Sequence, residues 1–191
     1  MTRISRRLTR LVVSWLGTLA VTGCGASAAA DTSRPPVAGS PSASAGLTAA
    51  QQSAYDAALT AYTGYMRVRV QIAAKPNPDT ATAQLAPYVA DPLKVNLTSY
   101  VRTLKYYNEA VHGAPTFTVV GKDVHADATP MTVDLHVCVN PDGWYAVDLR
   151  TGKPIESQHQ PKYLTVAHIE DYGSPYGWLV VSVTSGGGTS C

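Results

Sequence analysis

Asp134, His136, His168 and Glu170 are the residues whose types could combine into acid–base chemistry. Asp134 and His136 alternate with Val133, Leu135, Val137 and Val139, so both lie on one face of a strand. His168 and Glu170 share a face in the same way on a second predicted strand, 163–170. If the two strands pair in register, the four gather on one side of a sheet. That side carries the polar members of the alternation, and its expected place is solvent. His112 and His159 stand beside Gly and Pro, in expected loops, and His125 has no partner that spacing reveals. Neither a Ser/His/Asp nucleophile signature nor a phosphate-cradling Gly-rich loop is present, and Gly186-Gly187-Gly188 reads as a tail.

The aromatics are unusual in kind. Eleven tyrosines and three tryptophans stand against one phenylalanine, so most rings carry a polar handle. Tyr62, Tyr65, Met66, Tyr107, Trp144 and Trp178 are the candidate lining of a pocket for a small amphipathic ligand. The competing reading places Tyr62 and Met66 in the core, turns Tyr106 or Tyr107 outward and packs Trp178 against the sheet. Acid–base enzymes need an ionisable group inside such a pocket. The inward positions Val133, Leu135, Val137 and Val139 supply none, which leaves Asp56 or Asp148, with Tyr62, as the enzyme alternative.

Cys24 belongs to a different chemistry. Arg3, Arg6, Arg7 and Arg10 precede the apolar stretch LVVSWLGTLAV, residues 11–21, which is too short to span a bilayer. A basic segment, a short apolar one and small residues after it make a secretory signal peptide, 1–23. VTGC, residues 21–24, resembles the bacterial lipobox, in which the cysteine is acylated and the chain is cut just before it. The expectation is a lipid-anchored protein on the outer face of the cytoplasmic membrane. An ordinary signal peptide is the alternative, and the Arg6-Arg7 pair leaves general and twin-arginine export open.

The whole chain has 15 basic and 13 acidic residues, but four of the bases leave with residues 1–23 and no acid does. The remainder is slightly acidic and holds no basic cluster, which disfavours nucleic-acid binding. With Cys24 acylated, Cys138 and Cys191 form an even pair in an oxidising compartment, the expectation being a disulfide. Two free thiols are the alternative. No second Cys or His stands at ligand spacing from either, so no metal is assigned, and no cofactor.

The elements that must position these residues follow from periodicity. Residues 24–46 are the acylated cysteine and an Ala/Ser/Pro-rich tether with too little apolar surface to fold. The domain is 47–191. Thr48 and Gln51 have capping-box spacing, and Tyr55, Leu59, Tyr62, Met66, Val70 and Ala73 give a helical stripe. Asn77-Pro78 starts a short second helix. Asp91-Pro92 starts a third, carried by Leu93, Leu97, Tyr100, Val101, Leu104 and Tyr107 and stopped by Gly113 and Pro115. Then the period changes to two. Strands are predicted over 116–124, 132–139, 163–170 and 178–184, with turns at Asn140-Pro141-Asp142-Gly143 and Thr151-Gly152-Lys153-Pro154. Residues 144–148 continue outward from the first turn. Helices followed by antiparallel strands make an α+β fold.

This order, with local motifs, resembles the nuclear transport factor 2-like (cystatin-like cone) fold as carried by small actinobacterial lipoproteins and secreted proteins. The residues responsible are the lipobox and tether, Ala61-Tyr62, the strand 133–139 with Cys138, DLRTGKP at 148–154, GWLVVSV at 177–183 and the terminal Cys191. The resemblance implies N-terminal helices packed in the concave face of a curved antiparallel sheet. This fold hosts many activities. The leading functional expectation is a non-catalytic ligand- or protein-binding accessory module at the cell envelope. The alternatives are a small cyclase- or isomerase-type enzyme and a purely interacting protein that forms a homodimer through its sheet. On sequence alone the enzyme question stays open.

Overall fold

A computed structural model describes residues 46–155, 161–186 and 191. The expected signal segment, Cys24 and the expected tether through residue 45, together with His159, lie outside the described residues.

Helix α1 runs Ala49–Ala74, and its start is the expected capping box: Gln51 N–H donates to the Thr48 hydroxyl while the Gln51 side chain accepts from Thr48 N–H. Its buried side is broader than the stripe read from sequence, because Ala54, Ala58, Ala61, Gly64, Tyr65, Val68 and Ile72 are buried too. Small residues let the helix lie close to what it packs on. Helix α2, Pro78–Leu85, is capped by Asn77, whose side chain accepts from Asp79 N–H.

Helix α3, Leu93–Tyr107, departs from expectation at both ends. Pro92 is its cap, without a side-chain hydrogen bond, and Asp91 pairs with Lys94 at 3.6 Å instead. Its C-terminus comes six residues before Gly113, because Asn108 takes the left-handed conformation (φ 55°), which a short polar side chain tolerates. The chain then turns straight into strand β1, Glu109–His112. Strand β4, Tyr145–Asp148, pairs antiparallel with β1, so 144–148 does not extend the neighbouring hairpin.

The main sheet has the order β2-β3-β5-β6, all antiparallel, from β2 (Thr116–His125), β3 (Thr132–Asn140), β5 (Tyr163–Asp171) and β6 (Trp178–Ser185). The described residues therefore form an α+β fold, with three helices and two antiparallel sheets among them. In β3 the alternation is complete, with Val133, Leu135, Val137 and Val139 buried and the residues between them half-buried. These pack against Tyr62, Tyr65 and Met66 of α1 and Leu97 and Val101 of α3. Tyr62 meets Phe117 of β2 edge-on, ring centres 5.2 Å apart. A smaller second core joins Ala73, Leu104 and Val111, with Trp144 against it.

The edge of β6 is covered by the chain between α2 and α3. Ala90 N–H donates to Val180 O at 3.0 Å, and Val180 N–H donates to Tyr88 O at 2.9 Å. That crossing brings Tyr88 against Gly64 of α1, where a β-carbon would collide with the Tyr88 ring. Cys138 and Cys191 form a disulfide, Cα atoms 5.8 Å apart, tying the last residue of the chain to β3. Among the described residues no helix is long and apolar enough to cross a membrane.

Candidate functional site

The inward faces of α1, α3 and three strands leave a cavity of about 340 Å³. Tyr62, Tyr65 and Arg69 contribute from α1, and Leu93 and Leu97 from α3. The sheet side consists of Val139 on β3, Tyr163 and Thr165 on β5, and Val183, Thr184 and Ser185 on β6. Register explains this grouping: Val139 stands opposite Tyr163, and Thr165 opposite Ser185. On α1, Tyr62, Tyr65 and Arg69 recur at steps of three and four, one face of the helix.

The wall is mixed in a specific way. The Tyr62 hydroxyl shares a hydrogen bond with the Thr165 hydroxyl, which itself donates to the Val137 carbonyl at 3.3 Å. Burial pushes the Tyr62 phenol well above its ordinary value, and the neighbouring Tyr65 adds to this. Burial raises Tyr65 as well, against the opposing pull of Arg69. Both therefore stay neutral hydroxyls. Arg69 is half-buried, donates to the Tyr65 hydroxyl, and lays its guanidinium over the Trp144 ring, 4.7 Å from the ring centre. Tyr100, 37% exposed, is near enough to feel the same positive charge.

Of the six aromatic and Met candidates, Tyr62 and Tyr65 line this cavity. Met66 is buried in the core beside them, and Trp178 packs against that core from the sheet. Trp144 sits behind Arg69 with its indole Nε1 buried. Tyr107 lies apart: it is 58% exposed and stacks edge-on with Tyr106. Neither carboxylate of the enzyme alternative lines the cavity. Asp56 is exposed on α1 and accepts from Gln52 Nε2. Asp148 accepts from the Arg150 side chain and from the N–H groups of Arg150 and Thr151, which hold its pKa below the ordinary value.

The outer face of the main sheet carries His136 and His168, whereas His112, expected in a loop, ends β1 opposite Tyr145. Asp134 stands opposite His168 in the β3–β5 register, and His168 Nδ1 lies 2.7 Å from Asp134 while Nε2 lies 3.1 Å from Glu170. His136 turns instead to Asp123 on β2, at 2.9 Å. Three of the four residues expected on one side do cluster. All are partly open to solvent, and among the described residues no group of His, Cys, Asp or Glu could hold a metal ion.

Arg69 and the aliphatic and Ser/Thr residues of the wall escape a sequence reading that follows aromatics alone, and Tyr163, though aromatic, is not among its candidates. The available signal for Arg69 was its place: four residues after Tyr65 and three before Ile72, a charge inside an apolar stripe.

No protein-family model matches the chain, and no curated protein sequence does. Among solved structures the chain is similar to the crystal structure of the intermembrane space region of the chloroplast protein ARC6. That likeness has 14% sequence identity and a TM-score of 0.45, and it covers 69% of this chain and 95% of that one.

Proposed function

We propose that this chain is a membrane-anchored, extracytoplasmic lipoprotein, attached through Cys24, whose domain is a non-catalytic binding module at the cell envelope. The observation that carries the binding part is the wall of the cavity. It combines aliphatic surface with neutral hydroxyls and one guanidinium, and none of its described lining residues is a carboxylate or imidazole. Such a wall suits holding a small amphipathic molecule, and 340 Å³ lies in the range of ligand pockets. A pocket carboxylate working with Tyr62 would have favoured the cyclase or isomerase reading, and Asp56 and Asp148 are both engaged elsewhere.

For the fold we propose the nuclear transport factor 2-like cone. Two features support it: α1 packs across the sheet, and irregularities between Val119 and Gly121 and between His168 and Ile169 are of the kind that bend strands. A second functional reading, dimerisation through the sheet, is favoured by the β2 edge, where Val120 is 57% exposed. Light scattering at high concentration tests it.

Native mass spectrometry of a Cys24→Ser form purified from an oxidising host tests the binding reading. A retained small-molecule mass at one per protomer is expected. A bare mass, with no shift on adding amphipathic compounds, would overturn it.

A further inference from the structure

Among the cations with a described setting, Arg69 stands apart. Arg150 is paired with Asp148 and Lys94 with Asp91 at the surface, and Lys122, which lies over the Tyr55 ring, is exposed. Arg69 is half-buried in the cavity wall, and among the described residues no carboxylate lies within ion-pair distance of it. A guanidinium carries five N–H donors and cannot shed its charge, so removing it from water without an anion is costly. It is also held in place: the Trp144 ring supports its face, and Tyr65 accepts one of its hydrogen bonds. A planar cation fixed in this way, with donors left over, is pre-organised for a planar anion.

We infer that the cavity takes an amphipathic monocarboxylate, its head group on the Arg69 guanidinium and its apolar body against Leu93, Leu97, Val139 and Val183. This rests on the binding reading above and names the ligand class for it. Hydroxyls of Tyr163 and Ser185 stand on the same wall and can complete the hydrogen bonds of a carboxylate. Arg69 is the single cation among the described lining residues, which matches one negative charge; a phosphate dianion calls for more than one. The aliphatic residues set the other requirement, a tail that is better out of water.

The test is calorimetric titration of the full chain, as its Cys24→Ser form, with octanoate, 1-octanol and octylammonium. Octanoate is expected to bind at least about tenfold more tightly than octanol, and octylammonium more weakly than either. Arg69→Gln should remove the preference for octanoate while leaving octanol binding in place. Arg69→Lys, which keeps the charge but not the fork, should retain part of the preference. Circular dichroism melting confirms that each variant is folded. If octanol binds as tightly as octanoate, and a cavity-filling Val183→Trp variant abolishes both, the carboxylate inference fails while the binding reading survives. If none of the three compounds binds at millimolar concentration, both fall.

Discussion

His168 Nδ1 and Asp134 Oδ1 stand 2.7 Å apart across paired strands, and the other ring nitrogen of His168 faces Glu170 on its own strand. Burial acts to lower the imidazole pKa. The hydrogen bonds and charges of the two carboxylates outweigh it, and the pKa lies above the ordinary 6.5. The neighbouring Tyr172 hydroxyl is directed at Glu170, and from β6 the register partner is the uncharged Ser182. Because the folded state holds this proton more tightly than the unfolded chain, the stabilisation is fully present below about pH 6.5. It is lost as pH rises through the raised value. Urea midpoints of the native chain and of His168→Gln should therefore differ more at pH 6 than at pH 9. The histidine is about a third open to solvent, so the change should be about 1 kcal/mol or less. A constant difference across that range would refute the assignment.

Gly64 should resist replacement by alanine. Helix propensity alone favours alanine by about 1 kcal/mol. Here the added β-carbon meets the Tyr88 ring, and Tyr88 is tied down because its carbonyl accepts from Val180. Overpacking of this kind costs ~1–3 kcal/mol. Gly64→Ala is expected to lower the melting temperature, and Gly64→Ala combined with Tyr88→Ala to lose less than the two single effects added. A rise in melting temperature for Gly64→Ala would contradict the packing described.

The disulfide closes a loop of 53 residues that runs from the end of β3 through β4, β5 and β6. Chain-entropy arguments give it about 4 kcal/mol, an upper figure. Cys191→Ser should shift the urea midpoint downward by a corresponding amount, and added reductant should bring the native chain to the same midpoint. An unchanged midpoint in both would mean that the tail contributes nothing to stability.

Asn108 ends α3 with a positive φ and passes its carbonyl to Leu149 N–H at 2.7 Å. Asn108→Ala should cost ~1 kcal/mol, since a β-carbon without a polar side chain disfavours this conformation. Asn108→Gly should be neutral or slightly stabilising. Equal stability of the two variants, measured by chemical denaturation, would argue against the left-handed cap.

Local signals in the chain were enough for the α+β class, the starts of α1 and α2 and the inward set of β3. Thr48 with Gln51, Asn77 with Pro78, and the valines of 133–139 each act on neighbours within a few residues. The end of α3 was not legible in that way. Asn108 is an ordinary residue until β4 offers β1 a partner, and that pairing spans more than thirty residues of sequence.

The site divides along the same line. Tyr62 and Tyr65 were visible as polar-handled aromatics on a helix face, and Cys138 with Cys191 as an even pair. That Tyr62, Tyr65 and Arg69 share a cavity with Leu93, Tyr163 and Val183, that Arg69 rests on Trp144, and that Tyr107 lies outside were decided only by the tertiary fold. Periodicity tells which side of an element turns inward. Strand register and helix placement decide which inward side chains meet, and those are set by packing over the whole core.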